Sequence, residues 1–156
     1  MWKLKDDNHL LFKTPKDLTS VECLYQASNS HFLGGCGGGT LCLWGSGQRR
    51  PVCVKRGAHE GEMWVSAIAG VPMSNLVTTG SGDGFIKFWA FQTREREIVE
   101  MGRLEAEGFV NALQFSSTST PFLVSSSNRE PRLGRWYVNK QAQQCISIHK
   151  INYHKN

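Results

Sequence analysis

The stretch Leu76-Val-Thr-Thr-Gly-Ser-Gly-Asp-Gly-Phe-Ile-Lys-Phe-Trp89 decides how the rest of the chain is read. Residues 76–79 and 85–89 are β-rich runs, and Gly82-Asp83-Gly84 between them supplies residues that tolerate positive φ in a tight hairpin turn. Both runs are therefore strands. Asp83 stands six residues before Trp89 and Thr79 ten before it, while Ala58-His59 lies upstream, ahead of a further apolar run.

The tryptophans repeat this unit. Trp2 to Trp44 is 42 residues, Trp44 to Trp89 is 45 and Trp89 to Trp136 is 47, close to the roughly 40 to 45 of a WD repeat. Each follows a Gly-rich or polar turn: Gly37-Gly38-Gly39 before 40–44, and Asn128-Arg-Glu-Pro-Arg132 before 133–136. The unit containing His59, Thr79, Asp83 and Trp89 resembles one blade of the WD-repeat β-propellers. The resemblance implies a structural tetrad in which Asp83 holds His59 and the Trp89 indole donates into the network.

The chain then reads as an all-β, partial WD40 β-propeller spanning residues 1–149, with blades at 21–55, 63–101 and 109–148, the end of a preceding blade at 1–13 and a polar tail at 150–156. Expected strands are 10–13 from the incomplete blade; 21–25, 31–35, 40–44 and 51–55; 63–69, 76–80, 85–89 and a poor outer strand at 98–101; then 109–115, 121–125, 133–137 and 144–148. The first full blade lacks the tetrad, because Gly34 and Gly38 occupy the places of Thr79 and Asp83, so packing has to hold it. Closing a propeller takes roughly four to eight blades. About three blades, in a chain opening on Met1-Trp2-Lys3-Leu4, lead us to expect a fragment or a partial gene product.

With 156 residues, 40% of them hydrophobic, the chain has enough apolar side chains for a packed core. A net charge of +5 favours polyanionic partners without specifying one. Five cysteines, Cys23, Cys36, Cys42, Cys53 and Cys145, form no Cys-x-x-Cys pair, which fits a reducing intracellular compartment and no metal site. No run reaches the roughly 18 apolar residues of a membrane span. Gly34-Gly-Cys-Gly-Gly-Gly-Thr40 lacks the Gly-Lys-Ser/Thr ending of a phosphate loop and is read as a hairpin turn. His59, Thr79 and Asp83 carry a base, a hydroxyl and a carboxylate, but a threonine on a central strand offers no exposed nucleophile, so neither catalysis nor a cofactor is expected.

Two basic groups remain as candidate sites. Asn128-Arg-Glu-Pro-Arg-Leu-Gly-Arg135 replaces a short turn with an excursion carrying Arg129, Arg132 and Arg135, whose planar guanidinium forks suit phosphates and base edges. Arg49, Arg50 and Lys55 flank an outer strand, where charge also protects an edge.

Particular strings resemble one WD-repeat family, that of the U3 small nucleolar RNA-interacting protein 2 of the U3 small nucleolar ribonucleoprotein. They are Leu43-Trp-Gly, Arg50-Pro-Val-Cys-Val-Lys55, Ala58-His59, Trp64-Val-Ser-Ala-Ile-Ala69, Gly80-Ser-Gly-Asp-Gly84, Gly108-Phe-Val-Asn-Ala-Leu113 and Arg132-Leu-Gly-Arg-Trp-Tyr137. The likeness is to the C-terminal half of a seven-bladed ring. It implies a non-catalytic scaffold that binds the box B/C region of U3 small nucleolar RNA in the nucleolus. There it would work beside box C/D core proteins and small-subunit processome proteins in pre-ribosomal RNA processing, with neither membrane nor small-molecule substrate. The competing expectation is a protein-binding propeller, such as a ubiquitin-ligase adaptor or assembly hub, because fold does not settle function.

Overall fold

The computed structural model describes residues 2–3, 8–9, 11–61, 63–72, 74–116, 122–132, 134 and 136–151. These residues form strands and turns and no helix. Strands β1 (Trp2–Lys3) and β2 (Asn8–His9) pair as a short antiparallel ribbon. The first four-stranded sheet is β3 (Val21–Gln26), β4 (His31–Cys36), β5 (Thr40–Gly45) and β6 (Cys53–Lys55). The second is β7 (Ala67–Gly70), β8 (Leu76–Gly80), β9 (Phe85–Gln92) and β10 (Glu97–Glu105). A third sheet has three strands, β11 (Phe109–Phe115), β12 (Phe122–Asn128) and β13 (Cys145–Lys150). Every pairing is antiparallel between strands consecutive in sequence, the meander of a propeller blade.

Three strand expectations need correction. Of the strand expected at 133–137, residues 133 and 135 lie outside the described residues and 134, 136 and 137 belong to no strand; β13 takes that place and pairs with β12 along its whole length, Lys150 opposite Phe122 through Cys145 opposite Ser127. Local chemistry bars the alternative: Pro131 has no N–H, the Arg132 N–H is taken by Asn111 Oδ1, and Gly134 sits at φ +76°. Trp136 consequently stands in a loop, not in a sheet, and the third tryptophan interval does not measure a blade. Second, the outer strand of the second sheet is the longest strand, at nine residues, with a bulge between Glu100 and Gly102. As an outer strand it needs little apolar surface, only Ile98 being fully buried, and its charges face water. Third, residues 11–13 form no strand: the Lys13 N–H donates to Arg49 O, and Phe12 packs on Cys36, Cys42 and Trp44.

Register exposes the true repeat. Trp44 lies opposite Phe32, Trp89 opposite Val77 and His149 opposite Leu123, so Gly34, Thr79 and Ser125 occupy the same diagonal position in the three sheets. At each of the three the chemistry differs. Thr79 accepts from the Trp89 indole, whereas Ser125 Oγ lies 3.0 Å from His149 Nε2. At Gly34 a Cβ would stand 2.6 Å from the Trp44 ring, so the bare backbone makes room for the indole, which donates instead to Lys13 O at 3.3 Å.

The sheets stack by a repeated contact. Val65, entering the second sheet, and Val110, in β11, sit over Gly35 and Gly80, where an added Cβ would lie 2.6 and 2.4 Å from the valine side chains. Their N–H groups donate to Cys36 O at 3.1 Å and Ser81 O at 3.0 Å. One core joins the first two sheets through Leu33, Leu41, Leu43, Val77, Trp89 and Phe91; a second joins the next pair through Ala67, Ala69, Ile86, Phe115 and Leu123. Burial of these side chains, at roughly 1.5 to 3 kcal/mol for each large one, is what holds neighbouring sheets together.

Candidate nucleic-acid interface

The turns joining second and third strands lie at the same end of the sheets as the segments leading into each inner strand, since the strands run antiparallel. This end carries the His59 network. Gly39, at φ +60° in the β4–β5 turn, abuts the His59 backbone, where any Cβ would fall 2.2 Å from His59 O. The His59 N–H donates to Gly39 O at 3.1 Å. The His59 side chain spans Asp83 Oδ2, 2.9 Å from Nδ1, and Thr79 Oγ1, 2.7 Å from Nε2. Trp89 Nε1 donates to the same hydroxyl at 2.8 Å. Because the indole can only donate, Thr79 accepts there and gives its own hydrogen to His59 Nε2, which leaves Nδ1–H to donate to Asp83.

Burial alone would push the Asp83 carboxyl up. The hydrogen bond from His59, with the N–H groups of Glu60 and Phe85, outweighs it and holds the group below the usual carboxylate range. Lys87 Nζ, 3.9 Å from Asp83 Oδ2 and itself buried, sets a cation beside the carboxylate. Thr79 is fully buried, so its hydroxyl cannot meet a substrate, and the network joins turn to sheet.

The β12–β13 loop, residues 129–144, rises from the same end and is pinned to the body. Arg129 Nε donates to Ala142 O at 2.8 Å, and the Asn139 N–H donates to Arg129 O at 2.8 Å. Asn111, on β11, grips the loop twice: Nδ2 donates to Glu130 O and Oδ1 accepts from the Arg132 N–H, both at 2.9 Å. Ala142 is fully buried beside Gly108, whose φ of +91° and missing Cβ allow the contact. On the inner strand of the first sheet, burial pushes the Cys23 thiol up to about 12, and Arg132 is among the groups opposing that rise.

The six basic candidates do not make one site. Arg129 and Arg132 share the loop and are exposed, Arg129 already using Nε to close it. Arg135 lies outside the described residues. Arg49 and Arg50 sit in the β5–β6 connection at the opposite end of the strands, and half-buried Lys55 ends β6, opposite Leu41. Sequence reasoning missed two aromatics on the loop as site residues: Trp136 is 80% and Tyr137 44% exposed. Tyr137 also meets Trp64 edge-on, with ring centroids 6.1 Å apart. The signal that could have found them was the Pro131 and Gly134 pair, which makes 133–137 a poor strand.

The repeated sheets and their networked tetrad are those of WD-repeat blades, and residues 51–90 match the model of the WD domain, G-beta repeat. The chain is a WD40 propeller segment. It superposes on the solved "Crystal structure of RRP9 WD40 repeats" with a TM-score of 0.89 and 30% identity, covering 97% of this chain and 47% of that one. With "Structure of U3-55K" the TM-score is 0.87 and the identity 29%, over 96% of this chain and 47% of that one. The U3 small nucleolar RNA-interacting protein 2 of mouse and that of human are each 32% identical over 137 residues, or 83% of this chain and 29% of theirs. The family resemblance read from the sequence thus holds across most of the chain, which spans under a third of these curated relatives and about half of the solved propellers.

Proposed function

We propose that this propeller segment serves as a non-catalytic scaffold of the U3 small nucleolar ribonucleoprotein. In this reading it contacts U3 small nucleolar RNA at the box B/C region, in the nucleolus, during pre-ribosomal RNA processing and small-subunit biogenesis, next to box C/D core and processome proteins. The observation carrying the reading is the pinned 129–144 loop with Arg129 and Arg132 exposed on it, in a chain similar along most of its length to proteins named for U3 RNA interaction. Exposed arginines on a fixed frame hold phosphates in register without themselves reading sequence. Among the described residues the Thr79–His59–Asp83 constellation is closed to solvent, which supports the non-catalytic reading.

Arg129, Arg132 and Arg135 together replaced by Ala should weaken binding to a box B/C RNA and flatten its salt dependence by about three phosphate contacts, a slope change of about 2 for unpaired RNA. Ultraviolet crosslinking of the endogenous protein, followed by sequencing of the attached RNA, should recover U3 RNA around box B/C. Recovery of protein partners without that RNA would favour the protein-binding hub.

A further inference from the structure

We infer that Trp136 and Tyr137, backed by Trp64, form a stacking platform for unpaired bases of the RNA that the loop arginines hold. This rests on the RNA-binding reading above and adds to it the chemical form of the ligand: single-stranded, with bases free to leave their own stack.

A tryptophan that is 80% exposed on a loose loop would be unremarkable, but this loop is fixed. Arg129, Asn111, Asn139 and Ala142 tie its two ends to β11 and to each other, and the Tyr137 N–H donates to Gly134 O at 3.3 Å. Gly134 lies beneath the Trp136 indole: a Cβ there would stand 3.0 Å from the ring. The indole thus approaches the loop's own backbone at Gly134 while most of its surface meets solvent. Tyr137 sits between the two tryptophans, 6.1 Å from each, so the cluster is braced against the segment that leads into β7. An aromatic already immobilised loses little entropy on stacking.

Charge and polarity decide the occupant. Arg132 and Lys140 are exposed on the same loop as the platform, while Glu105 and Glu107, with Asp83, Asn139 and Gln141, line a cleft of about 370 Å³. A phosphate chain therefore runs on the Arg132 side. A protein hot spot would need an apolar pocket around the ring; half-exposed Val138 adjoins the aromatics, but Asn139, Lys140, Gln141, Gln143 and Gln144 beyond it are polar and all exposed. Bases inside an A-form duplex are already stacked and cannot reach such a face, whereas splayed bases stack on aromatics with little regard to sequence.

The test titrates the 156-residue chain with two labelled oligomers of equal length and charge, a ten-nucleotide single-stranded RNA and its abasic ribose-phosphate counterpart. The base-bearing oligomer should bind about tenfold more tightly and quench tryptophan fluorescence. Trp136→Ala should abolish that difference while leaving the abasic affinity, the salt slope and the melting temperature unchanged, and Trp136→Phe should restore part of it. Equal affinity of the unmodified chain for both oligomers would overturn the stacking platform while leaving the arginine reading intact. Failure to bind either oligomer would overturn both, and so would preference for duplex RNA over the single strand overturn the platform.

Discussion

Thr79 shows what one hydroxyl does in this molecule. It is the acceptor for Trp89 and the donor for His59, and its removal orphans both partners in a site closed to water. Thr79→Val keeps the shape but leaves two buried polar groups unpaired, at about 1 to 3 kcal/mol each. We expect a loss of about 3 kcal/mol in urea unfolding without a change in m-value, and less than about 1 kcal/mol for Thr79→Ser, which keeps both hydrogen bonds; equal losses would refute the network. The set His59, Thr79, Asp83 and Trp89 was readable because Asp83 and Thr79 stand six and ten residues before Trp89, with His59 upstream, in the layout of a WD-repeat blade. What Gly34 does was not, because the sequence says only that the hydroxyl is missing there, and not that the indole of Trp44 would fill its space and turn to Lys13 O.

At the scale of an element, β13 carries the clearest surprise. It is the third strand of its sheet, and His149 stands where Trp44 and Trp89 stand in theirs, bonded to Ser125 as Trp89 is bonded to Thr79. A histidine can be protonated where a tryptophan cannot. Partial burial pushes the His149 imidazole below its ordinary value of 6.5. The unfolded chain therefore takes up this proton first as pH falls. Stability from this site is complete above pH 6.5, falls as pH drops from 6.5 toward the folded midpoint, and levels off below it. His149→Phe should flatten that part of the stability profile relative to the parent chain, and proton NMR of the parent should place the His149 midpoint below 6.5. A midpoint above 6.5 would mean that the folded site favours the cation.

For the whole molecule, the decisive feature is that stacking is repeated but not closed among the described residues. Gly35 and Gly80 each receive a valine of the next sheet. Ser126 holds the equivalent place on β12, and its face carries Ala112, Val124, Ile146 and Ile148, the isoleucines 75% and 69% exposed. At the other end Phe12 and Leu18 cover the Cys36–Trp44 cluster, leaving Leu24 67% exposed. Such apolar faces associate in water. The 156-residue chain should accordingly self-associate with rising concentration in sedimentation velocity, and Ile146→Lys with Ile148→Lys should shift it toward monomer. A single concentration-independent monomer boundary for the unmodified chain would contradict this.

The sequence by itself determined the all-β class, the hairpin at Gly82-Asp83-Gly84, the tetrad residues and most strand positions, since turn chemistry and side-chain alternation act over a few neighbours. It could not determine which of two strand-like segments after β12 would enter the third sheet. Residues 133–137 have β-forming side chains, but 145–150 alone offer a complete ladder to β12, and that comparison exists only once β12 is in place. From that one pairing follow the length of the 129–144 loop and the exposure of Trp136 and Tyr137. Register and burial are properties of neighbouring strands, so the candidate interface was decided by tertiary structure.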